Sequence, residues 1–110
     1  MAVPDEYIDY IMDQLKPVGE VSPKKMFGGV GIFMQGKMFG MLNSKGTFLL
    51  KVDDSNVQDY ISRGMSPFTH DKNKTSKMPY YEVPLDVIED PEALKIWSEK
   101  SIEIALRPKR

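Results

Sequence analysis

Few groups in this sequence could do chemistry, and they are scattered. His70 is the sole histidine and there is no cysteine, which excludes disulfides, thiolate metal sites and cysteine nucleophiles. No serine or carboxylate pattern accompanies His70 as a general base would require. Asp53, Asp54, Glu82, Asp86, Glu89 and Asp90 stand where helix caps and turns want acids, with no paired-carboxylate, triad or metal spacing among them. Asp53-Asp54-Ser55-Asn56 superficially resembles the start of a calcium loop, but the glycine and distal glutamate of such a loop are missing. Gly28-Gly29-Val30-Gly31 fits neither the Walker nor the dinucleotide spacing, so it reads first as a bulge or entry bend, with a phosphate cradle as the alternative. The residues therefore predict no enzyme, no cofactor and no metal.

What remains is chemistry of association. Met26, Met34, Met38 and Met41 crowd into one stretch; methionine fills irregular core gaps and also lines adaptable binding surfaces. Tyr80 and Tyr81 are adjacent, so in a strand they face opposite ways and one of them is free for stacking or a partner contact. Met34, Met38, Met41, Tyr80 and Tyr81 are the candidate partner-binding residues. Lys24, Lys25, Lys72, Lys74 and Lys77 are the candidate anion or nucleic-acid contacts, with Lys51 and Arg63 in support. The run from Asp71 to Lys77 reads more simply as a solvated charged loop. The net charge of −1 provides no dominant basic field for nucleic acid.

These side chains need elements to hold them. The organising stretch is Lys25 to Val52, in which three apolar runs are separated by glycine-bearing turns, the pattern of an antiparallel meander. Its strands are expected from Lys25 through Gly28 to Met34, at Lys37–Leu42 and at Thr47–Val52, with turns at Gln35-Gly36 and Asn43 to Gly46. Ile32, Phe33 and Met34 are consecutive, as are Phe48, Leu49 and Leu50, which predicts a sheet partly covered on both faces by helices and by a partner or a second copy. A helix is expected from Pro4 to Lys16, ended by Pro17, with Ile8, Ile11, Met12 and Leu15 on its apolar face. A second is expected from Asp54 to Arg63, with Ser55 and Gln58 as a capping box and Gly64 beyond it. Strands near Ser66–His70 and Met78–Val83 come next. The last helix opens at Asp90-Pro91-Glu92 and runs to about Leu106, carrying Leu94, Trp97, Ser101 and Ile104 inward with Ala93, Ile96 and Ala105 beside them.

Helices and strands in this order make an α+β domain with a mainly antiparallel sheet. The 110 residues suit one domain, and 41% hydrophobic with 28% charged residues suits a soluble one. No apolar run is long enough for a bilayer and the N-terminus lacks the pattern of a signal peptide, so a cytoplasmic protein is expected, with no membrane partner.

KKMFGGVGIF, GKMFGML, GTFLLKVDD, MPYYEVP and EDPEALKIW occur in the order found in the N-terminal domain of the TfoX/Sxy family of bacterial competence regulators. The chain resembles that domain from about Tyr7 to Ala105. The resemblance implies an α-β(3)-α-β(2)-α fold of the secretion-chaperone-like kind. It implies a part in regulating DNA-transformation genes through contacts with transcription machinery, without catalysis. On this reading residues 1–110 are one such domain without the family's second, C-terminal one. The partner is another protein or a second copy. Direct nucleic-acid binding is the alternative, and small-molecule binding a lesser one.

Overall fold

The computed structural model describes residues 4–26, 28–69 and 77–107. Helix α1 (Asp5–Gln14) begins after Pro4, whose extended backbone (φ −61°, ψ 142°) caps it, and carries Asp5 and Glu6 in its first turn, where the dipole favours anions. Ile8 and Ile11 are buried, and Leu15 beyond the last turn is fully so. Pro17 ends the helix a little early by drawing Lys16–Val18 into a 3-10 turn.

The expected first strand is two strands. β1 (Ser22–Met26) and β2 (Gly29–Met34) form a hairpin in which Met26 partners Gly29. Gly28, at φ +78°, supplies the left-handed backbone that so short a connection needs. Among the described residues the order is one helix, four strands, a helix, two strands and two helices; it differs from α-β(3)-α-β(2)-α by this division of the first strand and by a one-turn helix before the last, and the α+β class and the antiparallel sheet stand. β3 (Lys37–Leu42) comes after a two-residue turn at Gln35 and Gly36, both at positive φ. β4 (Phe48–Lys51) comes after a turn in which the Asn43 side-chain oxygen accepts from the Lys45 and Thr47 N–H groups at 2.9 and 3.0 Å.

Helix α2 is shorter than expected, Val57–Ile61, and the capping box does not form. Its approach is held instead by Asn56, which is 2% exposed: its Oδ1 accepts from the Asp53 N–H and its Nδ2 donates to the Lys51 carbonyl. β5 (Pro67–Thr69) and β6 (Lys77–Glu82) complete a six-stranded sheet in the order β1-β2-β3-β4-β6-β5. Between Pro67↔Tyr81 and Thr69↔Lys77 the register slips, beside Pro79, which has no N–H for the ladder. Both edge strands contain a proline, Pro23 and Pro67, a device that blunts pairing with stray strands. Helix α3 (Leu85–Ile88) is one turn, and α4 (Pro91–Leu106) starts as expected, with the Asp90 carboxylate accepting from the Glu92 and Ala93 N–H groups.

The core lies on one side of the sheet. Ile8, Ile11 and Leu15 from the first helical segment, Tyr60 from α2, Val87 and Ile88 from α3 and Leu94 from α4 pack with Val30, Ile32, Phe39, Leu42, Phe48 and Leu50. The long helix α4 lies across β3 and β4. Ser98 and Ser101 on it are fully buried, which lets its backbone come close, and Ser101 Oγ donates to the Lys51 carbonyl at 2.7 Å. Trp97 is partly buried and meets Tyr60 edge-on at 4.7 Å. Ile96 faces solvent at 57% exposure, against the expectation that it flanks the core.

Phe39 is the residue that the strand pattern alone misplaces. Ile32 pairs with Gly40, but Phe33 pairs with Met38, so Phe39 is an extra residue in β3. The bulge turns it into the helix-side core, where it is fully buried. Phe39→Ala is expected to destabilise the domain by about 3–5 kcal/mol, while Ile96→Ala changes stability by no more than about 0.5 kcal/mol. Urea unfolding monitored by tryptophan fluorescence checks both; equal effects contradict the bulge placement.

Candidate interaction face

Strand alternation leaves a second face, opposite the helices. The partners Lys24↔Gly31, Gly31↔Met41, Met41↔Leu49 and Leu49↔Glu82 put these residues on it in one row across five strands. Beside that row stand Phe33 and its partner Met38, then Lys51 and its partner Tyr80; Met26 flanks the row on β1. No described helix belongs to a core on this side. Met26, Phe33, Met38 and Met41 are partly exposed, whereas Leu49 and Tyr80 are buried.

The glycines explain how the face is built. A Cβ on Gly31 would meet Met38 Sδ and Phe33 Cε1, each at 2.9 Å, and Met26 Cε at 3.2 Å. Those three side chains therefore close over the Gly31 backbone and form one apolar patch. A Cβ on Gly29 would lie 2.3 Å from the Leu42 carbonyl oxygen, so this glycine is required by close backbone approach. Gly28 thus lies in a hairpin turn, and Gly29 and Gly31 in the strand that follows it, packed by the chain's own groups; the expected bulge or entry bend within one strand is a turn between two.

The electrostatics of the face are mild. Lys51 Nζ sits 5.6 Å from the centre of the Tyr80 ring, within cation–π range. The Tyr80 hydroxyl donates to the Met38 carbonyl at 3.4 Å, and burial pushes its pKa up to about 12. Lys24 is exposed and Glu82 partly so, and neither is ion-paired among the described residues.

The sequence-derived candidates divide between the two faces. Met38, Met41 and Tyr80 lie on the far face, but Tyr80 is covered at 4% exposure and Tyr81 packs against the core, so neither is the free tyrosine expected of the pair. Met34 packs against the helix-side core, and Tyr81 joins it with its ring 5.9 Å from that of Tyr60. Neither belongs to the far face. Lys24 is on the far face, while Lys25 points to the helix side and bridges Asp5 at 3.0 Å. That bridge borders a cleft of about 300 Å³ between α1 and β1, lined by Asp5, Ile8, Asp9, Pro23, Lys25 and Val30. Lys77 lies in β6; Lys72, Lys74 and His70 lie outside the described residues.

The acids have local tasks. Hydrogen bonds from Ser55, joined by the Arg107 guanidinium 2.9 Å away, hold the Asp53 carboxyl below its usual range. Arg63 reaches both Asp86 oxygens at 2.6 Å and lowers that carboxyl too. Among the described residues no group of three or more histidine or acid side chains is placed to hold a metal ion. Nor is any described helix long and apolar enough to cross a membrane. Met26, Phe33, Leu49, Lys51 and Glu82 were not singled out as partner contacts from sequence. Counting alternate residues from Gly31 finds Phe33, but the bulge at Phe39 hides the parity of the residues beyond it.

The sequence profile of the TfoX N-terminal domain matches residues 13–105. The chain belongs to that family. No curated protein sequence matches it.

Two measurements check this geometry. Gly29→Ala should lose at least about 2 kcal/mol of stability, because its Cβ meets backbone, whereas Gly31→Ala should lose less, because Phe33 and Met38 can shift. The order of the two unfolding midpoints in urea decides the matter. Burial raises the Tyr80 pKa from 10.0 to about 12 in the fold, so its contribution is intact below pH 10.0 and is lost as pH rises through about 12. In Tyr80→Phe the alkaline loss of stability over that range should be shallower; an unchanged pH profile contradicts its burial.

Proposed function

We propose that this chain is a non-catalytic regulatory module that docks a protein molecule through the far face of its sheet, in the control of bacterial competence and DNA-transformation genes. The observation that carries the docking is the patch of Met26, Phe33, Met38 and Met41, partly exposed on a sheet face over which no described helix packs. Contiguous exposed apolar surface with a polar rim is the mark of an interaction site. Methionine suits it because its flexible, polarisable side chain adapts to a partner's shape. Family membership supports the regulatory setting. A binding role is also in keeping with Asp90, which caps α4, and with Asp86 and Asp53, which pair with Arg63 and Arg107.

A photo-crosslinking amino acid at Phe33 or Met38 is expected to capture a defined protein, and the same group at Leu85, 66% exposed on the helix side, is not. Met38→Asp should abolish that capture while retaining the wild-type circular dichroism spectrum. Transcripts of DNA-uptake genes should fall when the gene is deleted and recover with wild type but not with Met38→Asp. Equal cross-linking from Leu85 would remove the docking face, and transcripts indifferent to deletion would remove the regulatory setting.

A further inference from the structure

We propose that the far face is the contact between two copies of this chain, stacked sheet on sheet about a two-fold axis running along β3. This rests on the reading of that face as a docking surface and names its occupant. The cross-strand register carries it. The row Lys24, Gly31, Met41, Leu49, Glu82 has a cation at one end, an anion at the other, no other charge between them and Met41 at its midpoint on β3. Four strand spacings of about 4.8 Å set its charged ends about 19 Å apart.

A two-fold axis parallel to β3, lying between two stacked sheets, reverses this row onto itself. Lys24 of one copy then opposes Glu82 of the second, Glu82 opposes Lys24, and Met41 meets Met41. The patch is therefore self-complementary, as an isologous interface must be. The neighbouring row agrees. Phe33 is on β2 and Lys51 on β4, the two strands flanking β3, so the same operation sets the Lys51 ammonium against the Phe33 ring of the second copy and Met38 on Met38. The other in-plane axis, across the strands, sets Lys24 on Lys24 and Glu82 on Glu82 and is opposed by like charges. Apolar centre and charged ends also match the anatomy of a protein interface, and stacked sheets align to within about 30°.

Sedimentation velocity over a concentration series tests this with wild type, Lys24→Glu, Glu82→Lys, an equimolar mixture of those two variants, and the double variant Lys24→Glu/Glu82→Lys. Wild type is expected to show a monomer–dimer equilibrium. Each single variant sets two like-charged pairs across the axis and should weaken it by about tenfold or more. In the mixture and in the double variant every contact again joins opposite charges, so dimerisation should return. The double variant keeps the test decisive if one single variant fails to fold by circular dichroism. A wild type that stays monomeric, a dimer indifferent to both single variants, or no recovery in a folded double variant overturns the proposal. A monomer whose Phe33 or Met38 cross-links to a different protein overturns the second copy but keeps the docking face; a monomer that cross-links to nothing removes both.

Discussion

A strand residue faces one side of its sheet, and a single extra residue reverses the parity of everything beyond it. In this protein the bulge at Phe39 sets that parity for β3, the strand on which α4 lies and through whose midpoint the long cross-strand row passes. With Phe39 displaced, both Phe39 and Gly40 serve the helix side, and Met38 and Met41 fall together on the other. Without the bulge, one of those two methionines would enter the core and the far face would lose its continuity.

The helix side depends on how a few polar groups are shared. α4 approaches β4 closely because small serines line its inner surface, and the Lys51 carbonyl at the strand's end receives both Ser101 Oγ and Asn56 Nδ2. One backbone acceptor thereby ties together the strand, the entry to α2 and the long helix. The ion pairs Lys100–Asp59 and Arg107–Asp53 run between the same segments at the surface. Being largely solvated, they orient those segments more than they stabilise them.

That face is assembled from residues of opposite habit. Glycine removes side chains where backbone must come close, at Gly29, and where neighbours must fold over, at Gly31. Methionine and phenylalanine then supply the surface. Such a patch has adaptable apolar contacts, few charges and no reactive constellation, a character suited to association. Membership of the TfoX N-terminal domain family supports the regulatory setting proposed for that association.

Much of the fold was legible in the residues. Periodicity placed the first and last helices, Asp90-Pro91 marked the start of α4, and Gln35-Gly36 and Asn43 to Gly46 marked their turns, because each is a local matter of backbone geometry and capping. The hairpin at Gly28 was less so: a glycine-rich apolar run is compatible with a bend or with a turn, and only pairing of Met26 with Gly29 decides between them. The site was legible only as composition. Nothing near Met34 or Tyr81 distinguishes them from Met41 or Tyr80, since which face a strand buries depends on the helices that pack against it and on an irregularity in a neighbouring strand. The sequence by itself determined the class of domain, its family and the absence of cysteine chemistry. Only the tertiary structure decided which methionines lie beyond the core, and it aligned Lys24 with Glu82 across five strands, because register is a relation between segments distant in the chain.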